Sequence, residues 1–88
     1  MYSFEFNPSK SNSNKIKHGI DFNEAKLIWA DSNLIEIQAR TVDEPRFLTI
    51  GKIGSCYWSA VITYRKNKIR IISVRQSRKE EIELYETY

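Results

Sequence analysis

The chain has 88 residues, 41% of them hydrophobic, with 14 Lys and Arg against 11 Asp and Glu for a formal net charge of +3. That length predicts one domain over residues 1–88 and leaves no room for a separate substrate domain. A lone cysteine, Cys56, excludes an internal disulfide or a Cys-rich zinc centre, and three glycines cannot build a nucleotide cradle. Met1–Lys10 lacks the basic start and apolar run of a secretory signal, and no apolar stretch approaches the roughly 20 residues that cross a bilayer. The expectation is a soluble, cytoplasmic protein with no membrane partner.

Tyr2-Ser3-Phe4-Glu5-Phe6 alternates aromatic and polar residues, as a short strand does. Asn7-Pro8 reads as a helix start, with Asn as cap and Pro at the first helical position. Ser9–His18 is polar and basic, and Ile16 is nearly its only apolar anchor. Gly19 stops this helix by taking a left-handed conformation. Asp21 and Glu24 have the spacing of a capping box, with Ile20 placed as a staple. Phe22, Ala25, Ile28 and Trp29 then form an apolar stripe at helical spacing, and Asp31-Ser32-Asn33 ends it.

Leu34–Arg40 alternates as a half-buried strand, and Thr41–Pro45 is a polar turn. Arg46–Ile50 resumes extended structure, ended by Gly51, and Lys52–Ser55 makes the next turn around Gly54. In Cys56–Arg65, the face Cys56, Trp58, Ala60, Ile62, Tyr64 suits a core. Thr63 and Arg65 share the other side, within reach of a ligand. Lys66-Asn67-Lys68 is a tight turn with Asn67 as its left-handed residue. Ile69–Arg75 is apolar on both faces in its middle, as a strand covered from two sides is. Ser77 and Glu80 repeat the capping-box spacing before a last helix with Ile82 and Tyr85 inward. The class is α+β: two N-terminal helices, a four-stranded antiparallel sheet, a C-terminal helix and a possible short N-terminal strand.

The charge is sharply distributed. Seven Arg or Lys residues lie between Arg65 and Lys79 with no acidic residue among them, and Glu80, Glu81, Glu83 and Glu86 follow. Lys10, Lys17, His18, Arg65, Arg70, Arg75, Arg78 and Lys79 form the positive group. Arginine forks match phosphate geometry and lysines add point charge. From charge alone the partner is RNA, DNA or an acidic protein, against the plainer alternative of a solvated charged face. One histidine, one cysteine and scattered carboxylates have no metal-ligand spacing, so neither metal nor cofactor is expected.

Phe6-Asn7-Pro8-Ser9-Lys10, then Asn14-Lys15-Ile16-Lys17-His18-Gly19-Ile20-Asp21-Phe22 and Ala25, resembles the opening signature of the BrnT family. These are toxins of type II toxin–antitoxin modules. The second half agrees through Thr63, Arg65, Ile69–Arg75, Lys79, Glu81 and Tyr85-Glu86, and the likeness covers nearly the whole chain. It departs from the usual pattern at Asn7, Tyr64, Gln76 and Ser77. The resemblance implies a compact RelE-like ribonuclease fold, RNA cleavage that arrests growth, and neutralisation by a BrnA-like antitoxin in a higher-order complex. Operator DNA would then be contacted mainly through the antitoxin.

The expected chemistry is metal-independent endoribonucleolysis. Arg65 and Arg75 hold one scissile phosphate, while Lys79 or His18 protonates the leaving oxygen. His18 has a structural alternative, since a histidine beside a helix-ending glycine can bond the last carbonyls. Glu81 is a possible base, or else a partner of Arg78 or Lys17. Lys10, Lys17, Arg70, Arg78 and Glu81 are further candidate contacts to RNA or to a protein partner. Tyr57 and Tyr64 could each stack a base, but their strand parity differs. The alternatives are a noncatalytic basic module that receives a partner, and a weak DNA-binding protein.

Overall fold

The computed structural model describes residues 2–40 and 43–88. Its elements are β1 (Phe4–Glu5), α1 (Pro8–His18), α2 (Phe22–Ala25) continued by a 3-10 segment (Lys26–Ala30), β2 (Ile35–Ala39), β3 (Arg46–Ile53), β4 (Cys56–Arg65), β5 (Lys68–Gln76) and α3 (Lys79–Thr87). One sheet takes the order β1-β5-β4-β3-β2, with β1 parallel to β5 and the other pairs antiparallel. The molecule is therefore α+β, but its sheet is mixed and five-stranded. The aromatic opening segment joins it, and the Ile69 N–H donates to the Ser3 carbonyl at 2.7 Å. The expected turn Thr41–Pro45 lies partly outside the described residues, at Thr41 and Val42.

The start and stop of α1 follow the sequence. The Asn7 side chain accepts from the Lys10 N–H at 3.1 Å, Pro8 opens the helix, and Gly19 ends it at φ 80°. Its anchor does not. Ile16 is 88% exposed, whereas Asn14 is 6% exposed and Ser11 is also buried. Asn14 Nδ2 donates to the carbonyls of Ile20 (2.8 Å) and Val74 (2.9 Å), and its Oδ1 accepts from the Val74 N–H at 3.1 Å. One side chain thus bonds both main-chain groups of Val74. Ser11 Oγ accepts from the Phe22 N–H at 2.9 Å. A polar stretch docks because its buried polar atoms find partners.

Asp21 and Glu24 form the expected reciprocal box, at 2.7 and 2.9 Å. Phe22, Ala25, Ile28 and Trp29 are all buried against the sheet. After one turn the helix tightens to 3-10 geometry, where it approaches β3 closely. A Cβ on Gly51 would stand 2.8 Å from Ile28 Cγ2 and 3.2 Å from the Ile28 carbonyl. Gly51 therefore does not end β3, as its residue type suggested. It lies inside the strand opposite Trp58, and the glycine serves close packing. The turn is left to Gly54, at φ 62°.

The helix-side face of β4 is core at Ala60 and Ile62 and half-buried at Trp58, but Cys56 and Tyr64 at its ends are exposed. On the opposite face Thr63, expected within reach of a ligand, is 2% exposed and donates to the Pro45 carbonyl at 2.7 Å. A register shift separates Val61↔Ser73 from Ile62↔Ile71, which makes Ile72 the extra residue of a bulge in β5. Without it Arg70 and Arg75, five positions apart, would project from opposite faces. With it both share a face with Ser59, Thr63 and Arg65.

Helix α3 covers one end of that face. Its cap is Arg78, one residue later than Ser77. Arginine has no acceptor, so only half of a box forms: Glu81 reaches back to the Arg78 N–H at 2.8 Å, and Glu80 stays exposed. Tyr85 is buried and Ile82 half-buried, as the stripe implied.

Candidate nucleic-acid interface

Where β4 and β5 meet α3, three groups converge on Glu81 through four hydrogen bonds. Its Oε1 accepts from Arg75 Nη1 (2.7 Å), Ser59 Oγ (2.8 Å) and the Arg78 N–H (2.8 Å), and its Oε2 accepts from Arg75 Nη2 at 2.7 Å. Ser77 Oγ lies 2.8 Å from Ser59 Oγ and extends the network. Burial alone would push the Glu81 carboxyl up. The Arg75 fork, the Arg78 N–H and the Ser59 hydroxyl outweigh it and hold the group at about 2. The same pairing raises the guanidinium of Arg75 above its ordinary value, against the opposing effect of burial. Glu81 is thus the partner of Arg75, not of Arg78's or Lys17's side chain, and a carboxylate held so low is a weak base at neutral pH.

Register decides which basic residues can act together. Arg75 faces Ser59, while Arg65 lies six residues further along β4, opposite Lys68. At strand spacing that is about 20 Å. One phosphate cannot bridge two arginines so far apart, so the expected shared grip of Arg65 and Arg75 becomes two stations on one face. Arg65 is paired with Glu44 at 3.3 Å, and Arg70, opposite Thr63, is paired with Glu5 at 3.0 Å. Lys66, Lys68, Arg78 and Lys79 take no part in the four ion pairs among the described residues.

Lys79 is the first residue of α3, exposed and next to the Arg75 cluster in sequence and in space. His18 ends α1. The residues after it, Gly19 and Ile20, line a groove with Cys56 and Trp58, and Trp58 pairs with Gln76. The end of α1 is therefore at the Arg75 end of the sheet, on the helix layer, with Lys17 beside it. Lys10 lies in the first turn of α1, exposed. Of the two candidate stacking tyrosines, Tyr57 is occupied. Its ring packs edge-on to Tyr85 at 5.5 Å, under the Lys52 ammonium at 5.0 Å, and its hydroxyl donates to Glu86 at 2.9 Å.

A family model described as ribonuclease toxin, BrnT, of type II toxin–antitoxin system matches residues 6–81. The chain belongs to the BrnT family. The BrnT match takes in His18, Arg65, Arg75 and Lys79 and stops at Glu81, the residue around which the arginine network closes. BrnT membership implies a ribonuclease toxin with RNA as substrate and an antitoxin as partner. No curated protein matches the chain.

No helix is long and apolar enough to cross a membrane among the described residues, and no three His, Cys, Asp or Glu side chains there gather to hold a metal ion. Ser59 joins the Glu81 network and was not singled out from the sequence, whereas Ser77, expected as a helix cap, bonds Ser59 instead. A serine within an otherwise apolar strand, opposite an arginine, was the available signal.

Proposed function

We propose that this BrnT-family chain is a metal-independent endoribonuclease toxin acting at the Arg75 end of the sheet. The observation that carries it is the β5 bulge, which aligns Arg70 and Arg75 on one face and delivers Arg75 to the start of α3 beside Lys79. RNA laid along this face meets Arg65, Arg70 and Arg75 in turn, so neighbouring phosphates take separate arginines. At the scissile linkage the ribose 2′-oxygen attacks phosphorus and the bond to the 5′-oxygen breaks. The products are a 2′,3′-cyclic phosphate and a 5′-hydroxyl. Arg75 stabilises charge on the non-bridging oxygens once RNA displaces Glu81. Lys79 supplies the proton to the leaving 5′-oxygen, since His18 lies across the sheet from Arg75 on the helix layer, and the 2′-hydroxyl proton passes to water. Such a site binds well and reacts slowly.

A BrnA-like antitoxin covering the Arg65–Lys79 face excludes RNA by charge and by volume, and most operator DNA contact falls to that antitoxin in the assembled complex. A second reading, a noncatalytic basic module, is favoured by one feature: the Arg75 fork is already filled by Glu81.

The test is cleavage of a defined, end-labelled RNA in EDTA by the parent, Arg65→Ala, Arg75→Lys and Lys79→Ala. Arg75→Lys keeps the charge against Glu81 but loses the fork. We expect it to lower the rate by about a hundredfold, as loss of a transition-state donor does. Arg65→Ala should chiefly raise KM. Cleavage at the parental rate by folded Arg75→Lys would move the site elsewhere. A folded parent that leaves RNA intact, even with ribosomes added, would leave the noncatalytic module.

A further inference from the structure

At the far end of the sheet from Arg75, the tip of the β4–β5 hairpin holds a second feature that the proposed reaction does not use. A pocket of about 390 Å³ opens there, lined by Tyr2, Ser3, Tyr64, Lys66, Asn67 and Ile69. It is on the helix-layer side, because Tyr64 shares the parity of Ile62 and Ala60, and Tyr2 that of Phe4, which pairs with Ile69. Both tyrosines are large aromatic residues left in solvent, Tyr2 56% and Tyr64 48% exposed.

Tyr64 is exposed yet fixed. Its ring packs edge-on to Phe47 at 5.4 Å, and its hydroxyl donates to Glu36 on β2. Desolvation and this bond hold the phenol neutral, pushed up to about 12. An aromatic face presented at fixed orientation has little entropy to lose when a flat ring stacks on it. The charge beside it is available. Arg65 and Arg70 are tied to Glu44 and Glu5 on the other face, and Glu36 is engaged with Tyr64, but Lys66 on the pocket rim takes part in no ion pair among the described residues.

The turn that carries Lys66 also departs from the cheapest sequence. Lys66 and Asn67 both have positive φ, 49° and 67°, as the two centre residues of a primed hairpin turn do. Asn suits such a position; Lys at the first one is strained. The chain holds a cation at the pocket rim where Asn or Gly would fold more easily.

We infer that Tyr2, Tyr64 and Lys66 form a base-stacking subsite for single-stranded RNA at the hairpin tip, about 20 Å along β4 from the Arg75 station and on the other face of the sheet, reached by a strand that passes over the tip. A base stacks on the Tyr64 ring with Tyr2 beside it, Asn67 offers amide donors and acceptors to its edge, and Lys66 meets the adjoining phosphate. This rests on the RNA reading above and adds to it where a nucleotide remote from the cut is held.

The test is fluorescence anisotropy of a labelled, 2′-O-methylated RNA of about ten nucleotides, a length within the usual site sizes of single-strand binders and unable to be cleaved. The parent is compared with Tyr2→Ala, Tyr64→Leu, Tyr64→Phe and Lys66→Asn, each checked for parental circular dichroism. Tyr64→Leu keeps apolar cover over Phe47, and Lys66→Asn relieves turn strain, so both are expected to fold. Tyr2→Ala and Tyr64→Leu should each weaken binding by roughly five- to a hundredfold, Tyr64→Phe by much less, and Lys66→Asn should weaken it although the fold gains stability. Parental binding that all four variants retain overturns the subsite and leaves the RNA reading intact. A parent that does not bind overturns both. A loss in Tyr64→Phe equal to that in Tyr64→Leu also overturns stacking, since the phenylalanine ring keeps the π-face.

Discussion

Glu81 shows how much one side chain can decide. It accepts from four donors and fastens α3 to β4 and β5 at once. Its folded carboxyl sits at about 2 against an ordinary 4.5, so its ionised form favours the folded state. That contribution is complete above about 4.5, where the unfolded group also ionises. It is lost as pH falls from there toward about 2. Asp31, lowered by Tyr85 and two backbone N–H groups despite burial, and Glu24, lowered chiefly by Lys15, add to the same acid limb. Urea midpoints measured from pH 7 to about 2.5 should therefore fall steeply for the parent. Glu81→Gln should start lower at pH 7 and decline less. An acid limb of identical size in both proteins would remove Glu81 from this account.

At the scale of elements, the helices are fixed to the sheet by polar side chains that reach strand backbone. Asn14 occupies both main-chain groups of Val74, doing for α1 what another strand would do and covering the β5 edge beyond β1. Asp31 accepts from the Lys52 N–H of β3 at 2.8 Å and from the Tyr85 hydroxyl of α3 at 2.6 Å, joining elements on either side of the sheet. Asn14→Ala leaves a buried N–H and two carbonyls without their partner, and each such group costs about 1–3 kcal/mol. A loss of about 2–4 kcal/mol is expected by urea unfolding, part of it recovered by solvent entering the gap. Asn14→Asp should be worse at pH 7, because a carboxylate cannot donate to the Ile20 and Val74 carbonyls, and should improve on acidification as a protonated acid regains one donor. Equal stability of Asn14→Ala and the parent would mean that α1 docks by other contacts. This anchor was not legible in advance: by composition Ile16 was the only apolar choice in α1, and nothing in a lone sequence marks Asn14 as facing a strand edge.

For the whole molecule, the question is how many of the seven basic residues between Arg65 and Lys79 are available to a polyanion. The sequence places no acidic residue between Arg65 and Lys79, but folding brings Glu44, Glu5 and Glu81 to Arg65, Arg70 and Arg75. Four cations of that stretch remain without a carboxylate among the described residues: Lys66, Lys68, Arg78 and Lys79. With about 0.7 counterion released per phosphate neutralised on a single strand, log affinity against log salt should fall with a slope of about −5 if phosphates displace the three carboxylates, as the proposed path along Arg65, Arg70 and Arg75 requires, against about −3 for the four free cations alone. Titrations of the same 2′-O-methylated RNA over a range of salt measure it. A slope near −3 would mean that Arg65, Arg70 and Arg75 keep their carboxylates and that RNA does not lie along them.

The sequence by itself determined what local chemistry controls. The Asn7-Pro8 start and Gly19 stop of α1, the Asp21–Glu24 box, the extent of β4 and the α+β class all follow from caps, turns and periodicity, which act within a few residues. The BrnT signature is likewise a property of residue order. Tertiary structure alone decided the rest. It added β1 to the sheet, put Gly51 inside β3, and set the Ile72 bulge that turns Arg70 and Arg75 to one face. It also separated Arg65 from Arg75 and gave Arg65 and Arg70 their distant carboxylates, Glu44 and Glu5. Those outcomes depend on strand register and on contacts between residues far apart in the chain, and neither is written in spacing along one sequence.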